Sequence, residues 1–512
     1  MRKLPRLLII AILIMVCLMV FVNETHADST GTQTGDSQNL AEGVSIPDQV
    51  GHNAVAINFV WVFLGAILVF FMQLGFAMVE TGFTQERNAA HVVMTNFVIF
   101  ATGTIAFYLV GFALMFGGVG PLTTLGGQAI LTSKFEIARG WSLFGLKGFG
   151  LGGHGVYDVG IFLFFLFQVV FMDTAATIVT GSMAERWKWS VFLVYGAFMA
   201  MILYPLYGHW VWGGGWLSQL GVNASLGHGF VDFAGSSVVH AVGGLCGLAG
   251  IYVMGPRIGR FDKDGKPRAI PGHNIPMAIF GTIILVFGWF GFNAGSTLAG
   301  GDLRLSVVAV NTLLAACAGC LSGMTYWWRK YGKPDPSMTA NGMLAGLVAI
   351  TAPCAFVSAW AAIVIGLIAG LVVCFGVSLL ERWKLDDPVG AVAVHGFNGL
   401  WGVIALGIFA DGTYGSGLNG IDGGVKGLIY GGGGQFIAQV IGAVTCIVFV
   451  LGLSFLFWKL LDRVMGLRVA PQVEVEGLDI HEMGVSAYAT QHVFRTEAPD
   501  MVLQDMLEGG GR

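Results

Sequence analysis

Two histidines in apolar surroundings are the residues of this 512-residue chain whose type and spacing point to chemistry. His240 lies in DFAGSSVVHAVGGLCG, residues 232–247, and His395 lies in DPVGAVAVHGFNGLWG, residues 387–402. The two segments share seven of sixteen residues, including an aspartate eight positions before each histidine. Two neutral imidazoles can share one proton, and each ring keeps a second edge for another hydrogen bond. The pattern predicts a paired site that handles a proton or a small polar molecule.

A metal centre is the alternative use of such a histidine pair. The adjoining turns offer no third cysteine, aspartate or glutamate ligand, so a metal site is disfavoured and no cofactor is predicted. Asp232 and Asp387 lie towards helix N-termini, where the helix dipole favours a carboxylate, and either capping or substrate contact fits that position. No phosphate-binding loop, HExxH or nucleophile-elbow pattern occurs, so the chain is not predicted to be an enzyme.

The elements that must position these residues are membrane-spanning helices. Hydrophobic residues make up 55% and charged residues 11% of the chain, against about 25% charged residues in soluble domains. This composition excludes a soluble enzyme and predicts an all-α polytopic protein in a lipid bilayer. A net charge of −4 without a densely basic stretch argues against nucleic acid as a partner. Apolar segments predict eleven spans, near residues 57–80, 92–116, 160–183, 189–211, 232–254, 276–295, 306–328, 339–352, 357–380, 391–410 and 434–458.

The distribution of basic residues orients these spans. Thirteen lysines and arginines fall in the alternate loops on one side and five on the other, which places the first side in the cytoplasm. The mature N-terminus is then outside the plasma (inner) membrane and the C-terminus is inside. Residues 1–27 are typical of a signal peptide, the alternative being a retained first helix. Residues 28–56 form a polar extracellular or periplasmic segment, and residues 459–512 form a cytoplasmic, regulatory tail.

A second internal similarity divides the spans into two halves. Residues 65–76, GAILVFFMQLGF, align with residues 281–292, GTIILVFGWFGF. The two alignments relate spans one and five to spans six and ten, so each half has five spans and the second half is inverted. We therefore predict inverted five-helix repeats over 57–254 and 276–410, followed by an extra eleventh helix at 434–458. Inverted repeats commonly place a transport site near the midplane, where they meet.

Aromatic residues at the predicted outer ends of spans three and four are a further candidate site. Phe167 and Phe171 lie in span three, and Trp212 follows span four. They are either belt residues at the membrane interface or a cage that attracts a small cation through the ring faces. Asp173, an ionisable group inside span three, either hydrogen-bonds to neighbouring helices or tunes the affinity for a cation.

The sequence resembles the ammonium transporter family (Amt/Mep/Rh), of the bacterial Amt type. The resemblance covers nearly the whole chain after residue 27 and is carried by MAERWKWS at 183–190, HWVWGGGW at 209–216, DFAGSSVVH at 232–240, PGHNIP at 271–276, GWFGFNAGS at 288–296, DDPVGAVAVHG at 386–396, and GLRV and EGLD within 466–479. It implies a transmembrane ammonium transporter domain over 57–458 and a homotrimer with one hydrophobic pore in each subunit.

The resemblance also assigns residues by motif position. Ammonium, or its analogue methylammonium, would be recruited at the outer face by Trp212, Phe167, Phe171 and Ser296, with Asp232 important to the structure of that site. Phe171 and Phe292 would form a stacked gate, and His240 and His395 would line the pore. Ammonium would lose its proton on entry and cross as ammonia, with or without the proton, to supply nitrogen to the cell.

Two other functions share the fold. An Rh-like gas channel is disfavoured by the aromatic cluster, because a neutral gas needs no cation cage. An ammonium sensor acting through the tail would need a partner, because no output domain follows the last span. A PII-type signal protein is a candidate partner for the tail, which keeps GLD but continues as IHEMGVSAY.

Overall fold

The computed structural model describes residues 46–488 apart from 128–130 and 153–157. The predicted signal peptide lies outside these residues, as does the end of the tail. Within the described part, ten helices are long and apolar enough to cross a membrane, and the apolar helix α8 is shorter, with 15 residues. The helices, numbered in chain order, are α1 (Ile46–Phe83), α2 (Glu86–Phe116), α3 (Val159–Met183), α4 (Trp189–Val211), α5 (Ser236–Met254), α6 (Ile275–Thr297), α7 (Leu305–Tyr331), α8 (Pro336–Ile350), α9 (Ala359–Arg382), α10 (Val392–Phe409) and α11 (Gly433–Met465).

Helices α1 and α6 pack against each other in opposite directions through glycines. A Cβ at Gly75 would lie 3.0 Å from the carbonyl oxygen of Gly281, and a Cβ at Gly291 would lie 2.8 Å from that of Gly65. Small residues allow such close backbone approach between apolar helices. The same device joins α5 to α10, where a Cβ at Gly399 would lie 2.7 Å from the backbone nitrogen of Ala241.

Helix α5 begins later than the apolar pattern indicates, whereas α10 begins within one residue of its predicted start. The segment before α5 is not helical, and Gly235 has a φ of 111°, a left-handed conformation that glycine adopts without strain. Asp232 precedes the helix, and its two carboxylate oxygens accept the N–H groups of residues 235–238 at 2.7–3.1 Å. Asp387 accepts from Ala391 and Val392 in the same way. Each aspartate therefore fixes the start of its helix.

The first turn of each of these helices is a wide, π-type turn. His240 lies in the turn Ser236–Ala241, and His395 lies in the turn Val392–Phe397. Short π segments widen a helix locally and are common at functional sites. The repeat-related histidines thus occupy equivalent places at the starts of two helices.

The two ends of the helix bundle differ in what covers them. On one end, here called the tail side, residues 466–488 lie along the loops before α4 and α6, with Lys188 N donating to Leu467 O and Ile258 N to Glu474 Oε1. This stretch includes the short helix α12 (Pro471–Glu476). The opposite end, here called the Trp212 side, carries an antiparallel hairpin of β1 (Lys134–Glu136) and β2 (Ser142–Gly145).

Candidate functional site

The two repeat-related histidines meet in the interior of the bundle. His240 Nδ1 and His395 Nδ1 are 3.1 Å apart, which is hydrogen-bonding distance, and both side chains are buried. His240 Nε2 has no hydrogen-bond partner among the described residues. A buried imidazole edge without a partner is costly unless a ligand or water uses it. The pair can therefore exchange a proton internally while one edge stays available to a molecule that passes.

A column of aromatic rings leads from this pair towards the Trp212 side. The rings of His240 and Phe292 have centroids 5.4 Å apart, and Phe292 stacks on Phe171 at 4.1 Å. Phe171 in turn contacts Phe167 at 4.7 Å and Trp212, edge to face, at 6.3 Å. The predicted aromatic residues therefore form one continuous contact chain down to the first histidine.

Trp212 is held in place by the segment that precedes α5. Its indole Nε1 donates to the backbone carbonyl of Asp232 at 2.6 Å, while the Asp232 carboxylate is occupied by backbone N–H groups and by the Ser237 hydroxyl. The contacts of Asp232 are thus those of a cap and a positioning residue.

Ser296 lies one turn after Phe292 in α6. Its hydroxyl donates to the Phe292 carbonyl at 2.7 Å, which leaves the oxygen lone pairs of that hydroxyl free to accept. No hydrogen bond or ring contact joins Ser296 to Trp212 in the described part of the chain. Ser296 is therefore joined to the ring column through the backbone of Phe292.

The tail side of the histidine pair is lined by residues that the motifs do not single out. Phe76 contacts the His395 ring at 6.0 Å, and a small cavity is lined by His395, Phe76, Glu80 and Val389 among others. Trp289 stacks on His240 at 5.1 Å and donates its Nε1 proton to Thr351. The sequence could have pointed to Phe76, because the alignment of residues 65–76 with 281–292 pairs Phe76 with Phe292. It could also have pointed to Trp289, which lies within the GWFGFNAGS motif. Glu80 lies outside both matched segments.

One interpretation of the sequence expects the Asp173 carboxyl group to hydrogen-bond to neighbouring helices. Its Oδ1 makes no such bond within the described residues. That oxygen is buried without a partner in residues 46–488 as described, while the backbone carbonyl of Asp173 accepts from Thr177. No group of three or more histidine, cysteine, aspartate or glutamate side chains clusters among the described residues.

A buried ion network closes the tail side. Arg257 pairs with Glu185 and with Asp386, whose Oδ2 accepts from Arg257 Nε at 2.7 Å, and Arg186 Nη2 donates to the Asp386 carbonyl at 2.7 Å. Burial raises the pKa of Asp386, but the Arg186 and Arg257 guanidiniums outweigh burial and hold that pKa well below its ordinary value. The buried charges of Arg186, Arg257, Glu185 and Asp386 are therefore paired with one another.

The family model and two of the most similar sequences are all described as ammonium transporters. The sequence model described as "Ammonium Transporter Family" matches residues 60–488. Ammonium transporter Amt2 of Archaeoglobus fulgidus is 47% identical over 503 residues, which cover 97% of this chain and 99% of that protein. Ammonium transporter Amt1 of Haloferax mediterranei is 37% identical over 458 residues, which cover 86% and 82%.

Solved structures agree with the sequence relatives. A structure described as a sensor Amt protein superposes with a TM-score of 0.73 at 35% identity, covering 84% of this chain and 99% of that one. Mep2 of Candida albicans shares the fold, with a TM-score of 0.70 at 24% identity over 87% of this chain and 92% of that one.

Proposed function

The chain belongs to the ammonium transporter family, and from that premise we propose that it recruits ammonium on the Trp212 side, removes its proton and conducts ammonia to the tail side. The observation that carries the proposal is the continuous contact chain from Trp212 through Phe171 and Phe292 to the hydrogen-bonded histidines. This contact chain connects an aromatic surface that attracts cations to a histidine pair that can accept a proton, and the rings between them carry no charge.

Recruitment relies on ring faces rather than on a carboxylate. The Trp212 indole and the Phe167 and Phe171 rings attract a cation through their negative faces, by about 1–2 kcal/mol where the site is partly desolvated. The free lone pairs of Ser296 supply an acceptor for an ammonium N–H. Asp232 contributes by holding the Trp212 indole through its carbonyl.

The gate then separates ammonium from potassium. Carrying an intact cation past the stacked Phe171 and Phe292 rings is unfavourable by many kcal/mol, because nothing there replaces water. Ammonium can give up a proton and pass as a neutral, small molecule, whereas potassium has no proton to give. The selectivity we propose therefore arises from the need to deprotonate.

The histidine pair binds the ammonia that has passed the Phe171 and Phe292 rings. Ammonia can hydrogen-bond to the open Nε2 edge of His240, and the Nδ1···Nδ1 contact lets the pair pass a proton towards the tail side. We propose that the proton follows this route, so that transport of ammonia is accompanied by current.

The architecture that we propose is eleven spans, in which α8 is the short one, arranged as two inverted repeats plus α11. This arrangement is supported by the contacts between α1 and α6, which stay the same when each residue is replaced by its repeat partner in the other half. Gly75 against Gly281 becomes Gly291 against Gly65 when each residue is replaced by its repeat partner. We further propose a homotrimer with the tail side in the cytoplasm, where most basic loop residues lie.

The test is the double substitution of His240 and His395 by Ala. Ammonium pulses on proteoliposomes of the wild type should produce a current, and the double variant should lose nearly all of it because no group accepts the proton. Ammonium binding to the purified variant should persist, since the ring cage is untouched. Undiminished current in the double variant would rule out the histidine route.

A sensor role is the second candidate, favoured by the likeness to a structure described as a sensor Amt protein and by the tail that contacts several loops. A sensor would bind ammonium and rearrange residues 466–488 while carrying negligible current. Wild-type binding without any current would therefore support the sensor role.

A further inference from the structure

Glu80 is a buried carboxyl group that the proposed mechanism leaves unused. It lies in the last turn of α1 on the tail side and is 2% exposed. Asn96 Nδ2 donates to its Oε2 at 2.7 Å, and the Thr180 hydroxyl donates to the same oxygen at 2.8 Å. No lysine, arginine or histidine forms an ion pair with it among the described residues. A buried carboxyl group that has only neutral donors is costly to ionise, so a cation beside it would stabilise its charged form.

The surroundings of Glu80 connect it to the histidine pair. Glu80 and His395 line the same cavity, whose volume of about 20 Å³ has room for one small polar molecule. The other walls are apolar apart from Asn341. Besides His395, the titratable groups near Glu80 include Asp387, whose carboxylate accepts two backbone N–H groups of α10, and Tyr195, whose hydroxyl donates to the Ala176 carbonyl. A cation in this cavity would therefore meet Glu80 as its available acceptor.

The internal repeat gives an independent reason to regard this cavity as a binding site for a cation. The alignment of residues 65–76 with 281–292 pairs Phe76 with Phe292 and, continued by four residues, pairs Glu80 with Ser296. The structure follows that pairing, because Phe292 contacts His240 and Phe76 contacts His395. Glu80 thus occupies, on the tail side, the place that Ser296 occupies on the Trp212 side.

We propose that Glu80 forms a cation site at the tail-side end of the pore, at which ammonium is re-formed and held before release. The inference rests on the proposed function. Ammonia that has passed the pair takes the proton from the His395 imidazolium, which returns to neutral imidazole, and the ammonium so formed is bound by the Glu80 carboxylate. Atoms and charge balance without any further reactant. In the reverse direction the same carboxylate recruits ammonium from the tail side.

The experiment compares ammonium-driven currents in right-side-out and inside-out membrane vesicles. Glu80→Gln removes the charge but keeps the shape, and its new amide N–H can face Asn96 Oδ1, which has no partner among the described residues. We expect the half-saturating ammonium concentration to rise about tenfold for ammonium applied from the tail side, which is the loss of one charged hydrogen bond. From the Trp212 side we expect a change below about twofold.

Two matched variants serve as controls. Ser296→Ala should show the opposite pattern, with weaker apparent affinity from the Trp212 side only. Thr180→Ala removes a hydrogen bond from Glu80 but keeps the charge, so it should leave the affinity from each side within about twofold of the wild type. If Glu80→Gln shifts both sides equally, or neither, the tail-side site is refuted. Absence of wild-type current from both sides would instead contradict the proposed function itself.

Discussion

The hydrogen bond between His240 and His395 determines what the pair can do as a relay. When His240 Nδ1 donates to His395 Nδ1, His240 Nε2 is left as an acceptor, and it is this nitrogen that lacks a partner in the described part of the structure. A proton taken up at His240 Nε2 can be matched by passage of the Nδ1 proton to His395. The charge then advances without movement of either ring.

Substitution of Trp212 by Leu tests the cation cage at the level of one side chain. We expect the half-saturating ammonium concentration at the Trp212 side to rise about tenfold, because the ring quadrupole is lost, with the maximal current reduced far less. Currents in proteoliposomes over a range of ammonium concentrations measure both quantities. Trp210→Leu is the control, because that indole packs on Phe449 and not on Phe171. Unaltered affinity in Trp212→Leu would show that the cage assignment is wrong.

At the scale of the element, the start of α5 explains how His240 and Trp212 come to lie along one chain of ring contacts. The Asp232 carboxylate gathers four successive backbone N–H groups, so the chain turns sharply into the π-type segment that carries His240. The carbonyl of the same residue fixes Trp212. The helix start therefore also supports the proposed recruitment site.

Asp232→Ala should therefore destabilise the protein strongly. Loss of a buried carboxylate that accepts four backbone donors and one hydroxyl should lower the free energy of unfolding by about 3 kcal/mol or more. Thermal unfolding of the purified protein in detergent measures the effect. Asp387→Ala, which removes a cap on only two N–H groups, is the matched control and should have the smaller effect. Equal losses in the two variants would mean that Asp232 is not a special anchor.

At the scale of the whole molecule, the tail and the loops of the tail side form one connected structure. Asp479 accepts from the backbone N–H groups of Ala90 and His91 at the start of α2, and Leu478 N donates to Asn88. Beneath this layer lies the ion network around Arg257. The tail therefore contacts the start of α2 directly and, through Glu474, the loop that carries Arg257.

The pH dependence of stability tests this network through Asp386. Its pKa in the folded protein lies below the ordinary value, so the stabilisation is present above about pH 4 and is lost as the pH falls through the lower, folded-state pKa. Asp386→Asn should cost about 3–5 kcal/mol near neutral pH, because it leaves buried guanidinium groups without their partner. Unfolding temperatures at pH 7, 5 and 3 should show this deficit shrinking only in acid.

Glu381→Gln provides the comparison for that measurement. Its pair with Arg260 is partly exposed, with 32% of the Glu381 side chain accessible, so the substitution should cost less than about 1 kcal/mol. A deficit for Asp386→Asn that is as small, or that persists unchanged at low pH, would contradict the stabilising role of the network.

The sequence by itself determined the class of the protein and singled out the candidate residues of the site. Scarce charge and recurrent apolar runs identify a membrane protein because an unpaired charge in a span is costly, and the family is confirmed. The repeated Asp and His also singled out the histidine pair that meets in the structure, since residue types and their offset are visible without coordinates. Whether Asp232 caps a helix or contacts a substrate was not visible in this way, because both roles require a carboxylate at the same position.

Only the tertiary structure decided how these residues meet. The late start of α5, the 3.1 Å contact between the histidines and the stacking of Phe171 on Phe292 depend on packing between helices far apart in the chain. Periodicity reports which residues are apolar, but not which faces approach each other. The position of Glu80 beside His395 is the clearest case, because a carboxyl group at the end of an apolar run resembles an ordinary span boundary until the cavity that it shares is seen.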